Sequence, residues 1–182
     1  MAEFDKARLD RFLQKSSLIA ILATIEARGR PYLVPIWYEW DGRYCWIVSK
    51  PRADYVKNLR RDPRASLCVA TQTLPYQRVL LQGRVRLIET DQDWLPMGIR
   101  MAERYLGKAE GRAYIEKTRN WKRLFLRLTP DRIRSWDGGA SGHAWGGRYI
   151  EKTAAAPRAA GPSRPTRSKA RPPGGAAGTR RK

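Results

Sequence analysis

The chain has 182 residues, with 37 Lys and Arg against 17 Asp and Glu, for a formal net charge of +20. That length suits one domain plus an appendage, and the charge sign favours an anionic partner: nucleic acid, anionic lipid or an anionic small molecule. No apolar run reaches the roughly 18 residues that a bilayer crossing needs, and residues 1–15 are charged and amphipathic, unlike a secretory leader. A soluble cytoplasmic protein without membrane contact is expected.

In chain order, Ala2 to Lys15 reads as a helix, with Phe4, Leu9, Phe12 and Leu13 sharing a face. Leu18 to Ile25 is a strand so uniformly apolar that both its sides should be covered. Tyr32 to Trp40 is the next strand. Tyr32, Val34, Ile36, Tyr38 and Trp40 point one way, and Leu33, Pro35 and Trp37 the other. Both faces are apolar, so one would line the core and the other a ligand or a partner subunit. Pro35 cannot donate to a ladder, which implies an edge, a bulge or a disrupted pairing where a planar ligand could reach the backbone. An ordinary edge strand at a dimer contact is the plainer alternative.

Asp41-Gly42 is a hairpin signal, and Arg43 to Val48 is the return strand. Ser49-Lys50-Pro51-Arg52 then opens a helix of about ten residues, with Pro where a missing N–H costs nothing. Asp62-Pro63 closes it. A helix N-terminus presents free N–H groups and partial positive charge. Here it would carry Ser49, Lys50 and Arg52, with Lys57 a turn later, and would hold a phosphate. On composition alone, solvated charges on a basic surface are the commoner outcome.

Ala65 to Ala70 is a further strand and Thr71 to Gln77 a loop. Arg78 to Ile88 alternates, with Val79, Leu81, Val85 and Leu87 inward, and Gly83 marks a bend or bulge. Asp91 to Leu106 is a helix capped by Thr90 or Asp91 and ended by Gly107. Glu110 to Asn120 is a weaker helix. Trp121 to Thr129 is a strand, and Arg132 to Trp136 a final short one after Pro130. The two cysteines, Cys45 and Cys68, lie in predicted strands without metal-ligand spacing and read as buried free thiols. His143, the single histidine, sits in a Gly-rich stretch and reads as a loop residue; no metal site is expected. No acid–base pair is evident, so any reaction would be carried by a cofactor.

Residues 151–182 turn to Ala, Pro, Gly, Ser, Lys and Arg, with nine Lys and Arg from 152 onward and no acid, which leaves a charge of +11 on residues 1–151. The segment has too little apolar surface to offset its ordering entropy and is expected to be disordered. Two units follow: a folded domain over 1–150 and a basic tail over 151–182. The tail reads as a solubiliser, or as a nonspecific contact to nucleic acid together with Arg60, Arg61 and Arg64.

The order of elements, the segment Ser49 to Arg52 followed by NLRRDPR at Asn58–Arg64, and the strand containing QGRVRL resemble the pyridoxamine 5'-phosphate oxidase-like split β-barrel family, which binds FMN or coenzyme F420. The similarity spans about residues 5–136. It implies a mainly β fold, a six-stranded antiparallel split barrel with flanking helices, assembled as a homodimer with the cofactor in grooves between subunits. Backbone groups near Pro35, Ile36 and Trp37 would edge the ring. Val48, Ser49, Lys50 and Arg52 would approach the phosphate or ribityl chain, and Arg78 would line the same groove. Family members often carry a Lys where this chain has Tyr55. Lys57 or Lys50 would then supply the charge, or Tyr55 would hydrogen-bond a phosphate oxygen. The implied activity is hydride transfer between a flavin or deazaflavin and a small-molecule substrate, with Trp37, Tyr38, Tyr76 and Trp136 orienting groups and excluding water. The alternatives are a noncatalytic binder of flavin or haem, the latter needing His143 as axial ligand, and a nucleic-acid-binding protein.

Overall fold

The computed structural model describes residues 4–14, 17–89 and 94–138. Helix α1 (Lys6–Gln14) opens the chain, followed by strands β1 (Ala20–Ile25), β2 (Pro31–Ile36), β3 (Glu39–Trp40) and β4 (Cys45–Ser49). Helix α2 (Asp54–Arg61) then leads to β5 (Arg64–Ala70) and β6 (Gln77–Ile88). The pair α3 (Leu95–Leu106) and α4 (Lys108–Thr118) precedes β7 (Leu124–Asp137). The strands form one antiparallel sheet in the order β2-β1-β5-β6-β7-β4-β3, curled into a half-barrel.

Seven strands replace the six expected, and the split of Tyr32–Trp40 is the reason. Its first half pairs with β1 and its second half with β4, at opposite edges of the sheet. Trp37 and Tyr38 carry the chain between those edges outside any strand. The barrel is therefore joined there covalently, without a hydrogen-bonded ladder. Helix α1 plugs the gap. Asp5 caps it by accepting from the Arg8 amide at 2.7 Å, and its buried face carries Leu9 and Leu13. The Tyr38 hydroxyl donates to the Leu13 carbonyl at 2.9 Å, and Trp40 Nε1 donates to Asp10 at 2.7 Å.

The expected final break at Pro130 is absent: β7 runs unbroken for 14 residues. Gly83 lies opposite Pro130 and Gln82 opposite Arg132, so Asp131 is the extra residue of a bulge. A bulge tolerates proline, whose missing N–H would leave a gap in a regular ladder. Gly83 is required there, because a Cβ would overlap the Thr129 carbonyl and come within 2.9 Å of Pro130 Cα.

The interior is filled from every strand except β2's outer half, with Leu22, Ile47, Leu67, Leu81, Leu126 and Leu128 fully buried. Burying each such side chain contributes about 1.5–3 kcal/mol. Strand β1, expected to be covered on both sides, is covered on one. Ile21 is 38% exposed and Leu33, on the neighbouring strand, 61%. Both cysteines are free; Cys45 is buried and Cys68 half-buried. No described helix is long and apolar enough to cross a membrane. The 151–182 tail, His143 and the Thr90/Asp91 cap lie outside the described residues.

Candidate functional site

The two ends of β4 are built differently. At its start, the Asp41-Gly42 turn has Gly42 at φ +96°. Asp41 accepts from the amides of Arg43 (2.8 Å) and Tyr44 (2.6 Å) and from Trp46 Nε1 (2.6 Å). Partial burial raises the Asp41 pKa, but these hydrogen bonds outweigh it and hold the carboxyl below its usual value.

At the other end, Ser49 is the last residue of β4, not the start of a helix. Lys50 to Ala53 form a turn, closed by the Ala53 amide donating to the Lys50 carbonyl at 3.2 Å, and α2 begins at Asp54. Ala53 has no side chain able to cap it. The structure thus moves the helix start several residues downstream, because Pro51 and Arg52 complete the turn first.

Ser49 is 3% exposed. Its hydroxyl lies 2.7 Å from Tyr55 Oη and 3.3 Å from the Lys50 carbonyl. Burial pushes the Tyr55 phenol above its usual pKa, against the lowering effect of Ser49 and of the Arg123 guanidinium. Tyr55 therefore keeps its proton at neutral pH. With Ser49 donating, the Tyr55 oxygen accepts and the phenol O–H can turn to an anion at the mouth.

The ten residues singled out from the sequence do not form one cluster within the chain. Val48, Ser49, Lys50, Arg52 and Tyr55 gather at the β4–α2 mouth. Lys57 faces elsewhere: it pairs with Asp54 at 2.9 Å and lines an open groove of about 420 Å³ with Glu26, Arg28, Tyr32 and Arg61. Pro35 is exposed, Ile36 buried, and Trp37 stacks on Tyr105 with ring centroids 5.1 Å apart. Arg78 is exposed on the same outward face as Pro35 but three strands away, since Pro35, Ile21, Cys68 and Leu80 form one row across the sheet and Arg78 lies two residues from Leu80. It is remote from Ser49. Ser49 pairs with Leu124 and Arg78 with Trp136, twelve residues along β7, or up to about 40 Å of strand. One chain cannot bring Arg78 to the mouth. Tyr38, expected to shape the site, is instead fully buried core.

Sequence reasoning missed the far side of the mouth. Lys50 Nζ sits 4.3 Å from the centre of the Trp121 ring, and Arg123 lies 5.0 Å from Trp121 and 5.2 Å from Trp94. The signal was the basic-aromatic run Trp121-Lys122-Arg123, but nothing in the sequence says that its strand lies beside β4. The Arg60, Arg61 and Arg64 cluster, read as a nucleic-acid contact, is engaged internally. Arg60 pairs with Glu89, Arg61 donates to the Ile25 carbonyl, and Arg64 grips Asp62 at 2.6 Å.

The pyridoxamine 5'-phosphate oxidase family model matches residues 6–137. Among solved structures, a conserved hypothetical protein of Mycobacterium tuberculosis is 31% identical, with a TM-score of 0.63 over 74% of this chain and 86% of that one. An F420 reductase is 19% identical, with a TM-score of 0.51 over 68% of this chain and 94% of that one. An FAD-binding protein of Mesorhizobium loti is 18% identical, with a TM-score of 0.51 over 74% and 93%. Less alike in sequence, the last two share the fold. The family match takes in every described strand, from the α1 plug to the end of β7: the chain belongs to the pyridoxamine 5'-phosphate oxidase family of split β-barrels.

Proposed function

We propose that this protein is an oxidoreductase that works as a homodimer and binds FMN or coenzyme F420. The observation that carries the reading is the β4–α2 mouth. It holds a partly buried hydroxyl pair, Ser49 and Tyr55 at 2.7 Å, and two exposed cations, Lys50 and Arg52, that have no carboxylate partner among the described residues. These groups suit the acidic end of such a cofactor: a neutral phenol donates, and cations without partners attract. The family match and the likeness to an F420 reductase and an FAD-binding protein point the same way.

The ring would lie further along β2. Tyr32 is close enough to Tyr55 for their phenols to interact, and Pro35 follows about 10 Å later along the strand. Their side chains face opposite sides of the strand, so a ligand spanning the two would run along the open edge of β2 and meet Pro35 through its backbone. Pro35 offers backbone without an N–H, and Trp37 stands beside it, braced by Tyr105 and, edge-on, by Tyr114 at 5.6 Å. Bound flavin or deazaflavin supplies hydride transfer. The chain's own residues would orient a small substrate and exclude water.

A second copy fits the outward face of β1 and β2, where Ile19, Ile21 and Leu33 are exposed. It also answers the separation of Arg78 from the mouth, because Arg78 would complete a groove across the dimer rather than within one chain. The test is to titrate purified protein with FMN and with F420 while following absorbance and Trp fluorescence, and to measure mass by sedimentation. Binding of one cofactor by a dimer is expected. No response to either, or a monomer at micromolar concentration, overturns the proposal.

A further inference from the structure

We infer that Arg123 and Lys50, both carried on the indole of Trp121, form a clamp for the anionic end of the ligand that enters the β4–α2 mouth. This rests on the proposed cofactor site, where Lys50 is already placed, and adds to it Arg123 and Trp121, which neither the sequence motifs nor the family match assigns to it.

The register puts the two cations side by side. Ser49 pairs with Leu124, so the next residues, Lys50 and Arg123, leave the ladder at the same point from neighbouring strands. Both turn to one ring: Lys50 Nζ is 4.3 Å from the Trp121 centroid and Arg123 Cζ is 5.0 Å from it. Two positive groups on one indole repel each other. Among the described residues no carboxylate pairs with either to offset this. The nearby acids are already engaged, Asp54 with Lys57 and Glu89 with Arg60.

The geometry is also prepared for a ligand. Arg123 is only half-exposed and lies within 5.2 Å of a second indole, Trp94, so its planar fork has little freedom left to lose on binding. Trp121 itself is 45% exposed, so an anion can approach both cations from solvent. Arg123 also acts electrostatically on the Tyr55 phenol. It therefore joins the Ser49–Tyr55 hydroxyls to the Lys50–Trp121 pair. The ligand chemistry named is an oxyanion, whether a phosphate or the carboxylates of an acidic tail.

The test uses the full chain with four probes: FMN, F420, riboflavin (the flavin without phosphate) and inorganic pyrophosphate. Binding is read by calorimetry and by Trp fluorescence, with Trp121→Phe identifying the reporter. Arg123→Gln should weaken FMN, F420 and pyrophosphate by about tenfold or more, the usual worth of a charge-assisted contact. Riboflavin should change by less than about twofold. Lys117→Gln, which removes the same charge from the exposed face of α4, should leave all four unchanged. A greater loss for F420 than for FMN assigns the clamp to the carboxylate tail, and equal losses assign it to the phosphate. Lys50→Gln, at an exposed position, gives the same reading should Arg123→Gln fold poorly. If the cofactors bind the wild type and both variants equally, the clamp is refuted while the cofactor site stands. If no cofactor binds but pyrophosphate binding falls in Arg123→Gln, the clamp stands and the cofactor reading falls. If the wild type binds none of the four, both are overturned.

Discussion

Helix α2 has basic residues at both ends, and they live in opposite circumstances. At its C-terminal end, Arg60 pairs with Glu89, Arg61 donates to the Ile25 carbonyl, and Arg64 closes on Asp62 through Nε at 3.0 Å and Nη2 at 2.6 Å. Around its N-terminal end, Lys50, Arg52 and Arg123 have no carboxylate partner among the described residues. A ligand arriving at the first group must break existing bonds. At the second it meets charge that no carboxylate among the described residues neutralises. Equal counts of positive charge therefore differ in what they can bind, and only the fold says which is which.

The largest expected effect tests this contrast directly. The double variant Lys50→Gln/Arg52→Gln should weaken FMN or F420 binding by about a hundredfold or more, from two contacts of about 1.5–3 kcal/mol each. Arg60→Gln/Arg64→Gln, removing the same charge from the other end, should change it by less than about threefold. Calorimetric titration of both variants checks this. Similar losses in the two would mean that the overall positive field, not the local arrangement, attracts the ligand.

A smaller effect is expected inside the mouth. Tyr55→Phe removes the phenol donor from the mouth and should cost about fivefold in affinity, corresponding to about 1 kcal/mol. It also leaves the buried Ser49 hydroxyl with just the Lys50 carbonyl at 3.3 Å. Urea unfolding should then show a loss of about 1 kcal/mol. A stable variant with full affinity would remove Tyr55 from the site and shift the contrast wholly onto the cations.

How much of this could be read beforehand follows from the range of the signals. Local ones were clear. The Asp41-Gly42 turn, the alternation of Val79, Leu81 and Val85, and the bulge at Gly83 are set by residues close together in the chain. Ser49, Lys50 and Arg52 were legible for the same reason. Pairing between distant strands was not. Tyr32–Trp40 looks like one strand because its run of aromatic and aliphatic residues is continuous, yet its halves belong to opposite sheet edges. Trp121 and Arg123 could not be placed beside Lys50 without knowing that β7 lies next to β4. Arg60, Arg61 and Arg64 looked available because Glu89, Ile25 and the geometry at Asp62 were not yet assembled around them.

The smallest effect concerns pH at the engaged end. The Arg64 hydrogen bonds, with help from its amide, lower the Asp62 pKa to about 2. In the unfolded chain an aspartate titrates near about 3.9. A carboxyl depressed by folding adds stability above the unfolded value, and loses it as pH falls through that range towards the folded value. Asp62→Asn should therefore melt slightly below wild type from pH 5 to pH 8, and the two curves should draw together as pH drops from about 4 to about 2. Cofactor affinity between pH 6 and pH 8 should be the same in both, because Asp62 holds an arginine that the mouth does not use. If Asp62→Asn instead raised affinity, the freed Arg64 would be reaching the ligand, and the division of α2 into an occupied end and an open end would be wrong.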